Sequence, residues 1–369
     1  MKISVSIAAV AVALLAGSAM AAAPVVSPVA SAPAGLKSLP MSIGGRVQKT
    51  SDAYTYQWPG TYFETAFDGQ AVYFNVGKGD EILHVTVDGQ ASAPVVKPAP
   101  GLYGVEGLAK GKHTVRIEVV TESQAASDAF GGFSAAADAR PVAVEARARQ
   151  IEFIGDSHTV GYGNISTTRD CTTDDVWKTT DNSVAFGPVT ARHYNADYQV
   201  NAISGHGIVR NYNGFAGDPV PVAYPYVLLN HDTLYQDATW QPQIIVIALG
   251  TNDFSTPLNA GEKWTTRDQL HADYEATYGK FLKDLRARNP KAYFILWATD
   301  MANGEIATEE RKVVDQFKAS GDNRITFLPP FTGLQMTGCH WHPSAADDKT
   351  ISDALVGFID AHPDLWQGK

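Results

Sequence analysis

The sequence predicts two packed units, an antiparallel β-sandwich over residues 41–140 followed by a three-layer α/β/α domain with a parallel sheet over residues 150–369. Three observations carry this. Before residue 140 the chain reads as short runs of alternating polarity cut by turn residues, with no convincing helix. After residue 150, continuous apolar runs alternate with helical stretches, the pattern of strands buried on both faces. Between two of those runs lies one plainly amphipathic segment, with Leu270, Tyr274, Tyr278, Phe281, Leu282 and Leu285 on one face and Asn289-Pro290 as its stop.

The elements follow in chain order. Lys2, the apolar or small residues 3–16 and Ala19-Met20-Ala21 form an export signal, with removal expected by residue 23. That apolar stretch is too short to span a bilayer comfortably, so the mature chain is expected to have no membrane attachment. Residues 24–40 are rich in Pro, Ala and Ser and are expected to be a flexible linker. Strands are expected at 61–67, 71–76, 82–87 and 113–119, with Asp88-Gly89 as a hairpin turn. Tyr54, Tyr56, Trp58 and Tyr62 suit either sugar stacking or, more simply, the sandwich core. In the second unit the strands are expected at 151–154, 198–203, 244–249, 292–297 and 325–328. Parallel sheets of this kind place their sites at the carboxyl ends of the strands.

Composition narrows the function. A net charge of −10 and a pI of about 5.4 leave no basic patch for nucleic acid. A neutral, hydroxyl-rich partner fits better. Cys171 and Cys339 are an even pair in a chain expected to be exported, so they form either a disulfide or two buried thiols, with the disulfide favoured.

Three segments carry chemistry. Gly155-Asp156-Ser157-His158-Thr159 follows the first parallel strand, where a tight turn exposes the Ser157 hydroxyl and points its N–H at a developing oxyanion. Such a Ser also serves as a helix cap. Gly250-Thr251-Asn252-Asp253 follows the most apolar strand and offers the Asn252 amide as a neutral oxyanion donor, or a plain Asx turn. Gly338-Cys339-His340-Trp341-His342-Pro343-Ser344 precedes the last helix, and His342 is placed to take and return the serine proton. Each block alone is ambiguous. Together, in this order, they describe an acyl hydrolase.

These blocks resemble the SGNH (GDSL) hydrolase superfamily, with Ser204-Gly205-His206-Gly207 as its glycine block. The resemblance implies an oxyanion hole of Ser157, Gly205 and Asn252, and no cofactor. The runs IEFIGDSHTVGYGN, SGHGIVRNYNG and GCHWHPS are closer still to carbohydrate esterase family two. That likeness implies an N-terminal jelly-roll sandwich and removal of O-acetyl groups from xylan or glucomannan, often at 6-O positions. From the export signal the protein is expected to be secreted or periplasmic, and it is expected to act as a monomer. One departure stands out. The positions three and two residues before His342, where the superfamily and the family carry Asp, hold Cys339 and His340. A Ser157–His342 dyad oriented by a main-chain oxygen is therefore expected.

Trp264, Trp341, His158 and His206 are candidate substrate contacts, although core packing suits both tryptophans equally. His158, His206, His340 and His342 fall in site blocks, and polar lining accounts for them better than a metal centre. Two rival readings remain at this level: an esterase of the same superfamily acting on other acyl esters, and a non-catalytic carbohydrate-binding protein on the same fold.

Overall fold

A computed structural model describes residues 23–299 and 301–367. The expected export signal, apart from its last residue, therefore lies outside the described residues.

The first unit is two antiparallel sheets face to face. Gly101–Val105, Val72–Val76 and Asp128–Ala135 lie at the centre of one sheet; Ile82–Val87, Gly111–Val119 and Tyr62–Gly69 lie at the centre of the other. Phe63, Phe67, Phe74, Val85, Val115, Ile117, Phe130 and Phe133 fill the space between them. Tyr56, Trp58 and Tyr62 are buried, so the sugar-stacking alternative fails for them. Asp88 and Gly89 both have positive φ, 51° and 80°, and join Ile82–Val87 to Gln90–Ala91 in the tight turn that a right-twisted hairpin requires.

The linker expectation for residues 24–40 is corrected. Val26–Pro28 pairs with Gly101–Val105, and Lys37–Ser38 pairs with Asp128–Ala135. Composition misled here because proline is excluded only from the interior of a sheet. On an edge strand its missing N–H costs nothing.

The second unit holds a five-stranded parallel sheet: β1 (Arg149–Gly155), β2 (Ala196–Ala202), β3 (Ile244–Ala248), β4 (Tyr293–Trp297) and β5 (Ile325–Leu328), in the order β2-β1-β3-β4-β5. Strand alternation assigns the two faces. Ile245 and Ile247 pack under α2 (Arg267–Arg288) and α3 (Glu305–Ala319), together with Leu270, Tyr274 and Phe317. Ile244 and Val246 point the other way, toward α1 (Phe186–His193) and α4 (Ala345–Asp360), with Phe186, Ile351 and Leu355. The chain winds from β1 to β2 on one side and returns as β3 on the other. That reversal opens a crevice at the carboxyl ends of these three strands.

The two units are locked together by charge. Arg116 and Glu118, on the outward face of the sandwich, meet the Tyr198 hydroxyl at 3.0 and 2.8 Å. Arg147 joins Glu64 to Asp197 at 2.6 and 2.9 Å. Arg46, 1% exposed, pairs with Glu152 at 3.2 Å and lies over the rings of Tyr224 and Tyr235. Each buried charge has an opposite charge or a π face against it, which a desolvated ion requires. The sandwich is thereby held at a fixed orientation beside the crevice.

Candidate active site

Three loops at the crevice and one terminal loop build the site. At the end of β1, Gly155 sits where a Cβ would collide with the Thr159 side chain, so only glycine permits the strand to turn this tightly. Ser157 opens a one-turn helix, Ser157–Val160, capped by Asp156 through His158 N at 3.1 Å. The Ser157 N–H occupies the first helical position, where no intrahelical acceptor exists. Gly161, φ 82°, ends the turn.

After β2, Gly205 adopts φ 83° and lines the crevice. The loop beyond it is pinned by the buried carboxylate of Asp253, which accepts from Ile208 N, Val209 N and Arg210 N at 3.0, 2.8 and 2.9 Å. After β3, Gly250 at φ 125° starts the short helix Thr251–Phe254. Its Asn252 Nδ2 donates to Asp156 Oδ2 at 3.1 Å and to His206 O at 2.9 Å, so the three blocks are tied to one another.

His342 arrives from the terminal loop. His340 and Trp341, both with positive φ (53° and 65°), fold that loop into a tight bend. The His342 Nε2 lies 2.8 Å from Ser157 Oγ, and Nδ1 lies 2.9 Å from the Cys339 carbonyl. A carbonyl carries no proton, so Nδ1 must hold one and the neutral ring presents its lone pair at Nε2 to the serine. Burial pushes the His342 imidazole down to about 4. Burial and the neighbouring His342 push His158 down to about 3, so it stays neutral. Burial raises Asp156 to about 7, and raises Asp253 to about 6 against the three N–H groups it accepts.

A strap holds this loop. Cys171 and Cys339 form a disulfide, His340 Nε2 donates to the Cys171 carbonyl at 2.9 Å, and Arg169 donates to Met336 O and Gln335 O at 2.8 Å each. Tyr162 packs its ring on His342, centroids 4.4 Å apart.

Ser157, His158, Gly205, Asn252, Trp341 and His342 line one cleft of about 580 Å³. Trp341 is 62% exposed at its rim, under the Arg169 guanidinium at 3.8 Å. His206 is bonded to Asp218 O at 2.6 Å and packs on Phe215 beside the cleft. Trp264 is corrected: it is buried in the core, its Nε1 donating to Asp273 Oδ2 at 3.0 Å, and it does not reach the cleft. Among the described residues no three His, Cys, Asp or Glu side chains are grouped to hold a metal ion.

Other cleft residues were missed in the sequence. Tyr162, Tyr212 and Phe215 line it from the flanks of recognised blocks, where an aromatic next to a catalytic motif was the available signal. Glu122 and Gln124 line it from the sandwich, and nothing in the sequence marks them.

The chain is similar to known proteins along most of its length. Residues 43–144 match the family described as Carbohydrate esterase 2 N-terminal, and residues 153–364 match the GDSL-like Lipase/Acylhydrolase family. The chain is 50% identical over 336 residues to an acetylxylan esterase / glucomannan deacetylase of Cellvibrio japonicus, covering 89% of this chain and 93% of that protein. A solved carbohydrate esterase, whose active site displays divergent catalytic and non-catalytic binding functions, superposes with a TM-score of 0.85 at 47% identity, covering 89% of this chain and all of that one. A family two carbohydrate esterase from Clostridium thermocellum, solved with cellohexaose, superposes with a TM-score of 0.79 at 27% identity, covering 88% of this chain and all of that one.

Proposed function

Because the chain belongs to carbohydrate esterase family two, we propose that it is exported and removes O-acetyl groups from xylan or glucomannan, 6-O esters included, with Ser157 as nucleophile and His342 as its base. The observation that carries this is the 2.8 Å contact between Ser157 Oγ and the unprotonated nitrogen of His342. As Oγ attacks the acetyl carbonyl, Nε2 takes its proton. The tetrahedral oxyanion is held by the N–H groups of Ser157 and Gly205 and by the Asn252 amide. Collapse breaks the bond from the acetyl carbon to the sugar oxygen, which takes the proton from His342 and leaves as a hydroxyl. Water then attacks the acetyl-enzyme through the same base and releases acetate. The exposed ring of Trp341 and the rings of Tyr212 and Phe215 give the cleft a sugar-stacking rim.

The test is acetate release from acetylated xylan and glucomannan, set against hydrolysis of long-chain acyl esters. Preference for acetyl is expected. Efficient cleavage of long chains would move the assignment to another acyl ester. Labelling of Ser157 by a fluorophosphonate separates an enzyme from a binding protein on the same fold.

The pH profile follows from His342. Its base form exists above its folded value of about 4, so kcat/KM is expected to stay high through weakly acidic solution and to fall only as pH drops toward 4. An acid limb near the unperturbed histidine value of about 6.5 would show that another group orients or charges the ring.

A further inference from the structure

We propose that the sandwich completes the catalytic centre, with Gln124 and Glu122 acting as positioning residues for the Gly205 oxyanion donor. This rests on the esterase mechanism above.

Both residues lie on the loop after Gly111–Val119, which reaches across to Ser204. Glu122 Oε1 accepts from Ser204 N at 2.7 Å. Gln124 Nε2 donates to Ser204 O at 3.0 Å. The two side chains thus grip one residue by both of its main-chain polar groups.

Ser204 O belongs to the same peptide group as the Gly205 N–H. No peptide bond in the described chain is cis, and in a trans peptide the C=O and N–H point in opposite directions. A bond that draws Ser204 O toward the sandwich therefore aims the Gly205 N–H away from it. That N–H has no hydrogen-bond partner among the described residues. The restraint matters because Gly205 at φ 83° has wide torsional freedom, and rotation of this peptide plane would turn the donor away from an oxyanion. The Asp253 carboxylate does not prevent this, since its contacts begin three residues later, at Ile208. A hydrogen bond to the carbonyl also polarises the peptide and strengthens its N–H as a donor.

The loop is itself held firmly. Gln57 Nε2 donates to Gln124 O at 3.1 Å, and Asn182 N of the hydrolase unit donates to Val120 O at 2.9 Å. The salt bridges between the units keep the grip in register.

The experiment compares the full-length wild type with Gln124→Ala, Gln124→Met, Glu122→Ala, Glu122→Gln and Ser157→Ala on 4-nitrophenyl acetate, a substrate too small to use sugar contacts. Loss of an oxyanion donor outright costs about 10²- to 10³-fold, and loss of its aim costs part of that. Gln124→Ala is expected to lower kcat about 10-fold with KM and Tm unchanged. Gln124→Met keeps the volume without the donor and is expected to match it, which guards against a folding effect. Glu122→Ala is expected to behave alike, while Glu122→Gln, which retains an oxygen toward Ser204 N, recovers most of the rate. Unchanged kcat in well-folded Gln124→Ala and Gln124→Met overturns the proposal. So does a defect seen only as a raised KM on polysaccharide, because that marks a sugar contact. An inactive wild type, or activity surviving in Ser157→Ala, overturns the esterase mechanism instead.

Discussion

Ser157→Ala is expected to reduce acetate release by about four orders of magnitude or more, His342→Ala by a similar factor, and the double variant no further than the worse single one. The hydroxyl and the imidazole act as a unit. Ser157 Oγ has His342 Nε2 as its hydrogen-bond partner at 2.8 Å, and without that acceptor the hydroxyl is a weak nucleophile at neutral pH. Either substitution leaves the oxyanion donors in place, so residual catalysis above water is expected and the two losses do not add. Because Ser157→Ala removes one oxygen and leaves the Asp156 cap intact, the thermal transition is expected to stay where it is. Turnover within about 100-fold of wild type in Ser157→Ala would place the nucleophile elsewhere. The base itself is unusual in its support. With Cys339 O at 2.9 Å from Nδ1, the ring is held in the correct tautomer, but the imidazolium gains only a carbonyl dipole where a carboxylate would supply full charge. Burial outweighs that support, so the base remains deprotonated down to about 4.

How much of this was legible in the sequence depended on which interaction decided each element. Strand β3 was the most readable because it is buried on both faces and apolar throughout, whereas β2 carries Asp197, Gln199 and Asn201 and showed only as a strand in alternation with helices. Helix α2 was readable because one face alone packs on the sheet. Residues 24–40 were not, since an edge strand needs a neighbour's main chain and leaves little trace in composition. The charges between the units were equally silent. Arg46, Arg116 and Arg147 look like solvated surface in the sequence, yet Arg46 is fully buried against Glu152, and Arg116 and Arg147 are partly buried against Glu64 and Asp197. In the site, the motif blocks located Ser157, Gly205, Asn252 and His342, and their spacing showed that no Asp stood before His342. Which oxygen faces Nδ1 was beyond it, because main-chain carbonyls have no sequence identity. Trp264 stays undecided in the sequence for a related reason: an indole beside a motif looks the same whether it faces the cleft or, as here, bonds Asp273 from within the core.

Asn252→Ala is expected to lower kcat by about 10²- to 10³-fold, roughly 2.7–4 kcal/mol of transition-state stabilisation, with little change in KM. Both hydrogens of its amide already have acceptors, Asp156 Oδ2 at 3.1 Å and His206 O at 2.9 Å. The amide can therefore reach an oxyanion only by sharing a hydrogen between acceptors. These bonds hold the nitrogen at the cleft before any charge forms, so little reorganisation is needed when it does. A neutral donor also suits the surroundings, because Asp156 and Asp253 lie close by and burial disfavours charge on both. Asn252→Asp separates the two roles. It keeps the size but replaces the donor with an acceptor that faces Asp156, so it is expected to be slower than Asn252→Ala and less stable. If Asn252→Ala instead retains kcat within about 3-fold, the amide is only a tie between loops, and the backbone N–H groups of Ser157 and Gly205 carry the oxyanion alone.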